Sequence, residues 1–297
     1  MLDFKLEVTR KVIEALEKGG NEYRQMLINS AAKGMPNNGA TGKEYRGANV
    51  LMLWIAQQHF AFSSNTWLTY KQAQEMGAQV RKGEKSTLCA YFDMKQKKQN
   101  DEATAEQGED EKNSHYLLCK PFYLFNLDQI DNLPARLIEA QEAPRNNPRQ
   151  ADIETFLNNT GAVVLEEKNN RIYYRRDTDT VHIPNIDKFT SSDNYYLSLA
   201  HEIAHWTGAP HRLDRTKGKR FADASYSFEE LIAEHTACLV AGHFGMLDAN
   251  LESHASYLQS WIDALKADKN AIFAASKMAF EAYDYMCALQ QEEKKAA

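Results

Sequence analysis

His201, Glu202 and His205 stand in the run HEIAHWTGAPH, residues 201–211. Those residue types at that spacing suit one kind of chemistry. On an α-helix, positions i and i+4 lie one above the other, so His201 and His205 can offer two imidazoles to a single ion. Glu202 is turned about 100° from His201 around the helix. There it stays off the ion but can take a proton from a water activated beside it. This is the arrangement of a metal-dependent peptidase, with Glu202 as general base. The ion expected is a divalent metal, Zn2+ first and Mn2+ as the alternative, and the substrate is an unidentified protein or peptide.

A third ligand can come from two places. The spacing H-E-x-x-H-x-x-G-x-x-H extends to His211, as in metzincins. The next helical stretch, FEELIAEH, instead offers Glu229 and Glu230, 24 and 25 residues beyond His205, the solution in which a second helix supplies a glutamate. RLDRTKGKR, which follows His211, is basic and lacks the apolar character of a buried ligand turn. A methionine turn would have to come from Met246, beyond a long helix. Both points favour glutamate. Glu230 has Glu234 four residues on, as a ligand followed by a supporting acid would; Glu229 lies nearer the apolar stripe of Phe228, Ile232 and Leu239. Both stay open. His182 and His235 have no partner at ligand spacing and are expected to be structural or exposed.

The elements that must hold these residues are legible around them. Ser191, Ser192 and Asp193 are candidate N-caps for the HEIAH helix, and Gly208 and Pro210 are its stop. Ala233, Ala237 and Gly242 would let the following helix approach it closely. From Ser191 onward all the periodicity is helical. Before it, DIETFLNNTG reads as a helix and VVLEE, RIYYRR and TVHIP as three short strands, taken as a small antiparallel sheet. LPARLIEAQEAPRNNPRQ, with three prolines, reads as a domain boundary. Upstream, helices are expected from the N-terminus to a stop at Gly19-Gly20, over NEYRQMLINSAAK and over 46–60, with a short one at KQAQEMGA. TLCAYFDM and HYLLCKPFYLF read as two antiparallel strands, and KQKKQNDEATAEQGEDEKN between them as a flexible loop. The fold class is therefore α+β in two domains, residues 1–135 and 150–297, with 136–149 as linker; the second is mainly helical.

No stretch approaches the ~18 apolar residues of a membrane span, and the opening residues lack the pattern of a signal peptide. The four cysteines, Cys89, Cys119, Cys238 and Cys287, are far apart and form no CxxC, which fits reduced thiols in a cytoplasm. Net charge is −6 but uneven: residues 1–125 carry 17 Lys+Arg against 15 Asp+Glu, the remainder 18 against 26. A polyanion would therefore meet the first half. There, Lys43, Arg46, Lys71, Arg81, Lys82 and Lys85 are interleaved with Trp54, Trp67 and Tyr70. Cations to track phosphates and flat rings on which bases stack suit single-stranded DNA. Trp54 is expected in the core; Trp67 and Tyr70 are the candidate platforms.

PNNGATGKEYRGANVLML, then WLTYKQA, then GAQVRKGEK, resemble the N-terminal domain of the ArdC-type antirestriction proteins of conjugative plasmids, a domain similar to one in plasmid primases. HEIAHWTGAPHRLDR and EELIAE resemble the zincin-like metallopeptidase domain of the same family. The resemblance covers both halves in order. It implies sequence-independent binding of single-stranded DNA and protection of incoming plasmid DNA from host restriction. Two rival expectations stand beside that reading. In one, the protein is a protease that clears DNA-bound proteins; in the other, DNA occupancy alone protects and the peptidase site is dispensable.

Overall fold

The computed structural model describes residues 4–17, 20–31, 33–96, 115–142, 150–215, 224–246 and 258–290. The chain opens with helices α1 (Phe4–Glu17) and α2 (Gly20–Ala31), a two-residue strand β1 (Asn37–Asn38) and α3 (Ala48–His59). Next come β2 (Thr66–Leu68), α4 (Tyr70–Glu75), β3 (Gln79–Val80) and the long strands β4 (Thr87–Gln96) and β5 (His115–Asn126). β6 (Ile130–Asp131) and α5 (Ala135–Glu142) complete the first half. β4 and β5 pair antiparallel from Thr87↔Leu124 to Gln96↔His115, as their β-branched and aromatic content predicts. Of the stretch expected as a flexible loop, residues 95–96 are the end of β4 and 97–113 lie outside the described residues. β4 and β5 belong to a sheet of order β1-β2-β5-β4, and β3 pairs separately with β6.

The second half runs α6 (Gln150–Asn158), β7 (Val163–Glu167), β8 (Tyr173–Arg175), β9 (Thr180–Pro184), α7 (Ser192–Thr207), α8 (Ala224–Phe244), α9 (Leu258–Ala267) and α10 (Ala271–Leu289). The small sheet is mixed, which corrects the antiparallel expectation. Its order is β7-β9-β8, with β7 parallel and β8 antiparallel to β9. Burial follows the order: Val181 and Ile183 of β9, the central strand, are buried. β7, with Val163 and Leu165 exposed, is left at an edge.

Of the stretch expected as linker, residues 136–142 belong to α5, whose Leu137 is buried with Leu68, Val80 and Ile130; 143–149 lie outside the described residues. The main apolar core runs through both halves. Val8, Leu16 and Leu27 of the first two helices share it with Leu197, Leu231 and Ile272 of α7, α8 and α10. Gly242 has its reason here: a Cβ on it would come within 3.1 Å of the Met35 sulfur and 3.3 Å of the Trp54 ring. The glycine admits the first half of the chain, not α7. No helix among the described residues is long and apolar enough to cross a membrane.

Candidate metal centre

α7 starts where Ser191 Oγ accepts the Asn194 amide at 3.2 Å, relieving one of the unpaired amides of a helix start. Its C-cap is Gly208, with φ −79°. That conformation suits any residue, so the stop does not by itself require glycine. Space does: a Cβ there would lie 3.0 Å from the Arg215 guanidinium and 3.1 Å from Glu229 Oε1.

One turn apart on this helix, His201 and His205 point their Nε2 atoms to within 3.2 Å of each other. α8 packs alongside and brings one carboxylate to both. Glu230 Oε2 is 3.4 Å from His201 Nε2, and Oε1 is 3.3 Å from His205 Nε2. Ligand atoms of His201, His205 and Glu230 lie within 4.8 Å of one another. Each imidazole also meets an acid on its far side: Glu234 Oε2 is 3.6 Å from His201 Nδ1, and Glu229 Oε1 is 3.6 Å from His205 Nδ1. Glu229 and Glu230 are adjacent in sequence, so the helix turns one into the site and the other to its flank.

Glu229 is held there by Arg215, whose guanidinium donates to its oxygens at 2.9 and 3.3 Å, to Thr207 Oγ1 at 2.9 Å and to the Ala204 carbonyl at 2.6 Å. Arg215 thus ties the end of α7 to α8. Sequence reasoning gave it no role, because its charge is visible but its partner is not. Arg212 does a similar task toward the sheet. It donates to the Trp206 carbonyl at 2.7 Å, pairs with Asp179 in the β8–β9 turn and lies 3.7 Å over the Trp206 ring. His211 falls outside the group, with its side chain 63% exposed beside Asp179. His182 is buried, 2.8 Å from Glu167 and stacked on Tyr173; His235 is buried against the Tyr23 hydroxyl.

The electrostatics suit a cation. Burial by itself would lower both imidazoles. The carboxylates of Glu230 and Glu234 outweigh it for His201, and those of Glu229 and Glu230 for His205, raising them to about 9 and about 10. Glu230, despite burial that would raise it, is held far below the carboxylate range by the two imidazoles. Glu202 is buried beside them and adds to their upward shift. With no metal bound, protons on the imidazoles compensate a cluster of buried carboxylates. Two imidazole nitrogens and a carboxylate are the donor set a divalent ion takes at such a site, so the residues fit.

In the first half, Trp67 corrects an expectation. It is fully buried, with its ring edge-on to Phe62, and no face is left for a base. Its strand, β2, lies under α3, so the indole fills the core. Arg46 is paired with Asp284 and lies 4.8 Å over the Phe280 ring of α10, which makes it a tie between the halves. Tyr70, Arg81 and Lys82 come together with Phe125 around a cleft of about 530 Å³. Tyr70 is exposed there, edge-on to Phe125. Arg81 is engaged by Glu84 and Asp131. Lys43, Lys82 and Lys85 are exposed, and among the described residues no ion pair holds their side chains. Lys71 is paired at the surface with Glu75 at 3.5 Å.

A histidine-bearing helix met by a glutamate-bearing helix beside a small sheet defines a zincin-like metallopeptidase domain, and residues 151–278 match that family. Residues 3–125 match the N-terminal domain of anti-restriction factor ArdC. The metal-free crystal structure of the antirestriction protein ArdC from plasmid R388 is similar over 98% of this chain and 97% of that one, with 36% identity and a TM-score of 0.78. Its Mn(II)-bound structure has a TM-score of 0.74. The uncharacterized protein y4eC of Sinorhizobium fredii is 32% identical, covering 97% of this chain and 92% of that one. A DNA primase TraC of Escherichia coli is 34% identical, and the match covers 98% of this chain but 27% of the primase. The chain belongs to the ArdC family of antirestriction proteins.

Proposed function

We propose that this protein binds single-stranded DNA without regard to sequence and carries a metal-dependent peptidase site, protecting incoming plasmid DNA from restriction in the recipient's cytoplasm. The observation that carries the peptidase reading is the convergence of His201, His205 and Glu230 from two packed helices. These three hold the divalent ion; Zn2+ fits the donors, and the Mn(II)-bound relative supports Mn2+ as the alternative. Glu229 and Glu234 orient the imidazoles through their Nδ1 atoms, a role whose loss elsewhere costs metal affinity. When bound, the ion supplies Lewis acidity, polarising a scissile carbonyl and acidifying water. Glu202 takes the proton of the attacking water on its carboxylate and delivers it to the departing amine. The DNA reading rests on the family of residues 3–125 and on the cleft between Tyr70, Phe125, Arg81 and Lys82, with Lys43, Lys71 and Lys85 as further phosphate contacts. The TraC relative, a primase that contains the equivalent of this whole chain, supports work on DNA.

Glu202→Gln tests the peptidase reading. The variant should bind Zn2+ or Mn2+ as the wild type does and hydrolyse labelled unfolded casein on the order of 10²–10⁴-fold more slowly. Wild-type protein that cleaves nothing with either metal, or a variant that cleaves normally, overturns it. Restriction protection by the same variant separates hydrolysis from DNA occupancy: protection that survives means that occupancy suffices.

A further inference from the structure

A second cavity in the first half lies apart from both the metal centre and the Tyr70 cleft. It occupies about 470 Å³ between α1, α2, α3 and the start of β4, within the size range of small-ligand sites. Its floor is apolar, formed by the Tyr23 ring, Met26, Met52 and Ile55. Phe60 stands at its mouth, 43% exposed, its ring stacked on Phe62 at 5.4 Å and flanked edge-on by His59 at 4.6 Å. An apolar ring supported from behind yet open to solvent is ready to receive a second flat ring. The next residue, Ala61, has φ 55°, a conformation that costs a non-glycine residue energy and is often kept where a side chain must be aimed.

Polar groups are placed to match. Lys11 and Lys85 are on the lining, and the acid that also lines the cavity, Glu14, is paired with Arg10. Thr87, 3% exposed, closes the wall of the cavity at the start of β4. The turn between β3 and β4 links the two hollows. Its Arg81 and Lys82 line the Tyr70 cleft, and its Lys85 and Ser86 line this cavity. Gly83, with φ 91°, makes that turn.

We propose that this cavity takes one unpaired base of a DNA strand against Phe60, with the flanking phosphate on Lys85, and that the same strand continues over the 81–86 turn into the Tyr70 cleft. The inference rests on the single-stranded DNA reading above and adds the site. It also gives a reason for strand selectivity: a duplex would have to unpair and expel a base to fill the cavity.

The test uses the full-length protein, oligo(dT) and a series of salt concentrations. Phe60→Ala should weaken binding roughly tenfold, as loss of a stacking platform does, with an unchanged salt slope. Lys85→Ala should lower the slope of log K against log salt by about 0.7, one phosphate's worth on a single strand. Irradiating wild-type protein with an oligo(dT) carrying one 5-iodouracil should crosslink it to Phe60 or the cavity floor. If wild type binds but Phe60→Ala binds equally and crosslinks fall only on Tyr70 and Phe125, the cavity inference fails and the DNA reading stands. If wild type does not bind oligo(dT), both fail.

Discussion

Glu230 offers one carboxylate oxygen to each imidazole, 3.4 and 3.3 Å away, while His211 stands in solvent beside Asp179. A residue that binds the ion directly should cost more affinity than the ~10–100-fold typical of an outer partner. Glu230→Ala should therefore exceed that range in metal titration, and His211→Ala should bind like wild type; a large loss confined to His211→Ala would make His211 the third ligand. Protons give a second test. In metal-free protein the neighbouring carboxylates raise the imidazoles to about 9 and about 10, which favours protonated rings at neutral pH. A divalent ion must displace those protons, so affinity should rise with pH across the neutral range. Calorimetry at pH 7 in buffers of different ionisation heat should show protons released as the ion binds, and none released would refute the raised imidazoles. The stability of metal-free protein runs the other way. Both pKa values are raised, so the contribution of these pairs is complete below the ordinary imidazole value of 6.5 and is lost as pH rises through about 9 to 10. Among these residues, the two histidines were legible as a pair because i and i+4 fix a helix face. Choosing between Glu229 and Glu230 required knowing which way α8 is turned.

At the scale of elements, the run after the histidines fits the spacing of a third ligand, yet it folds as two clamps. Arg212 fastens α7 to the β8–β9 turn and Arg215 fastens it to α8. Sequence periodicity places both helices, but it carries no information on a pairing such as Arg215 with Glu229, which depends on how the helices dock. Removing the cation leaves the buried Glu229 carboxylate without its guanidinium partner, and breaking such a pair costs about 3–5 kcal/mol. Arg215→Ala should lose stability on that order in denaturant titration and lower metal affinity ~10-fold through the freed His205. Arg215→Lys should recover only part of both, since a lysine cannot reproduce the fork that holds Glu229, Thr207 and Ala204 together. Stability unchanged in Arg215→Ala would mean that the clamp is not needed. The mixed sheet is a similar case: alternation identifies three strands, but not that β9 stands between the other two.

Over the whole molecule, composition divides the chain more sharply than packing does. Three prolines and a shift in net charge mark the boundary region, and family matches lie on either side of it, over 3–125 and 151–278. The apolar core nevertheless passes straight across. Tyr23 of α2 bonds His235 of α8, Thr9 of α1 donates to the Lys269 carbonyl, and Arg46 reaches Asp284 of α10. Gly242 leaves room for Met35 and Trp54. None of this is legible beforehand, because periodicity reveals that a helix has an apolar face and not which half of the chain covers it. Each buried Val, Leu or Ile on that seam is worth about 1.5–3 kcal/mol, and Val8, Val12, Leu16 and Leu27 all lie in the shared cluster. Separating the halves would expose them together. Cutting the chain at a protease site engineered within residues 143–149 should therefore leave the two fragments associated. They should co-elute on gel filtration without denaturant and unfold in one transition when circular dichroism and tryptophan fluorescence are followed together. Fragments that elute apart, or two resolved transitions, would show that each half carries a core sufficient for itself, and that the seam is a contact between independent domains.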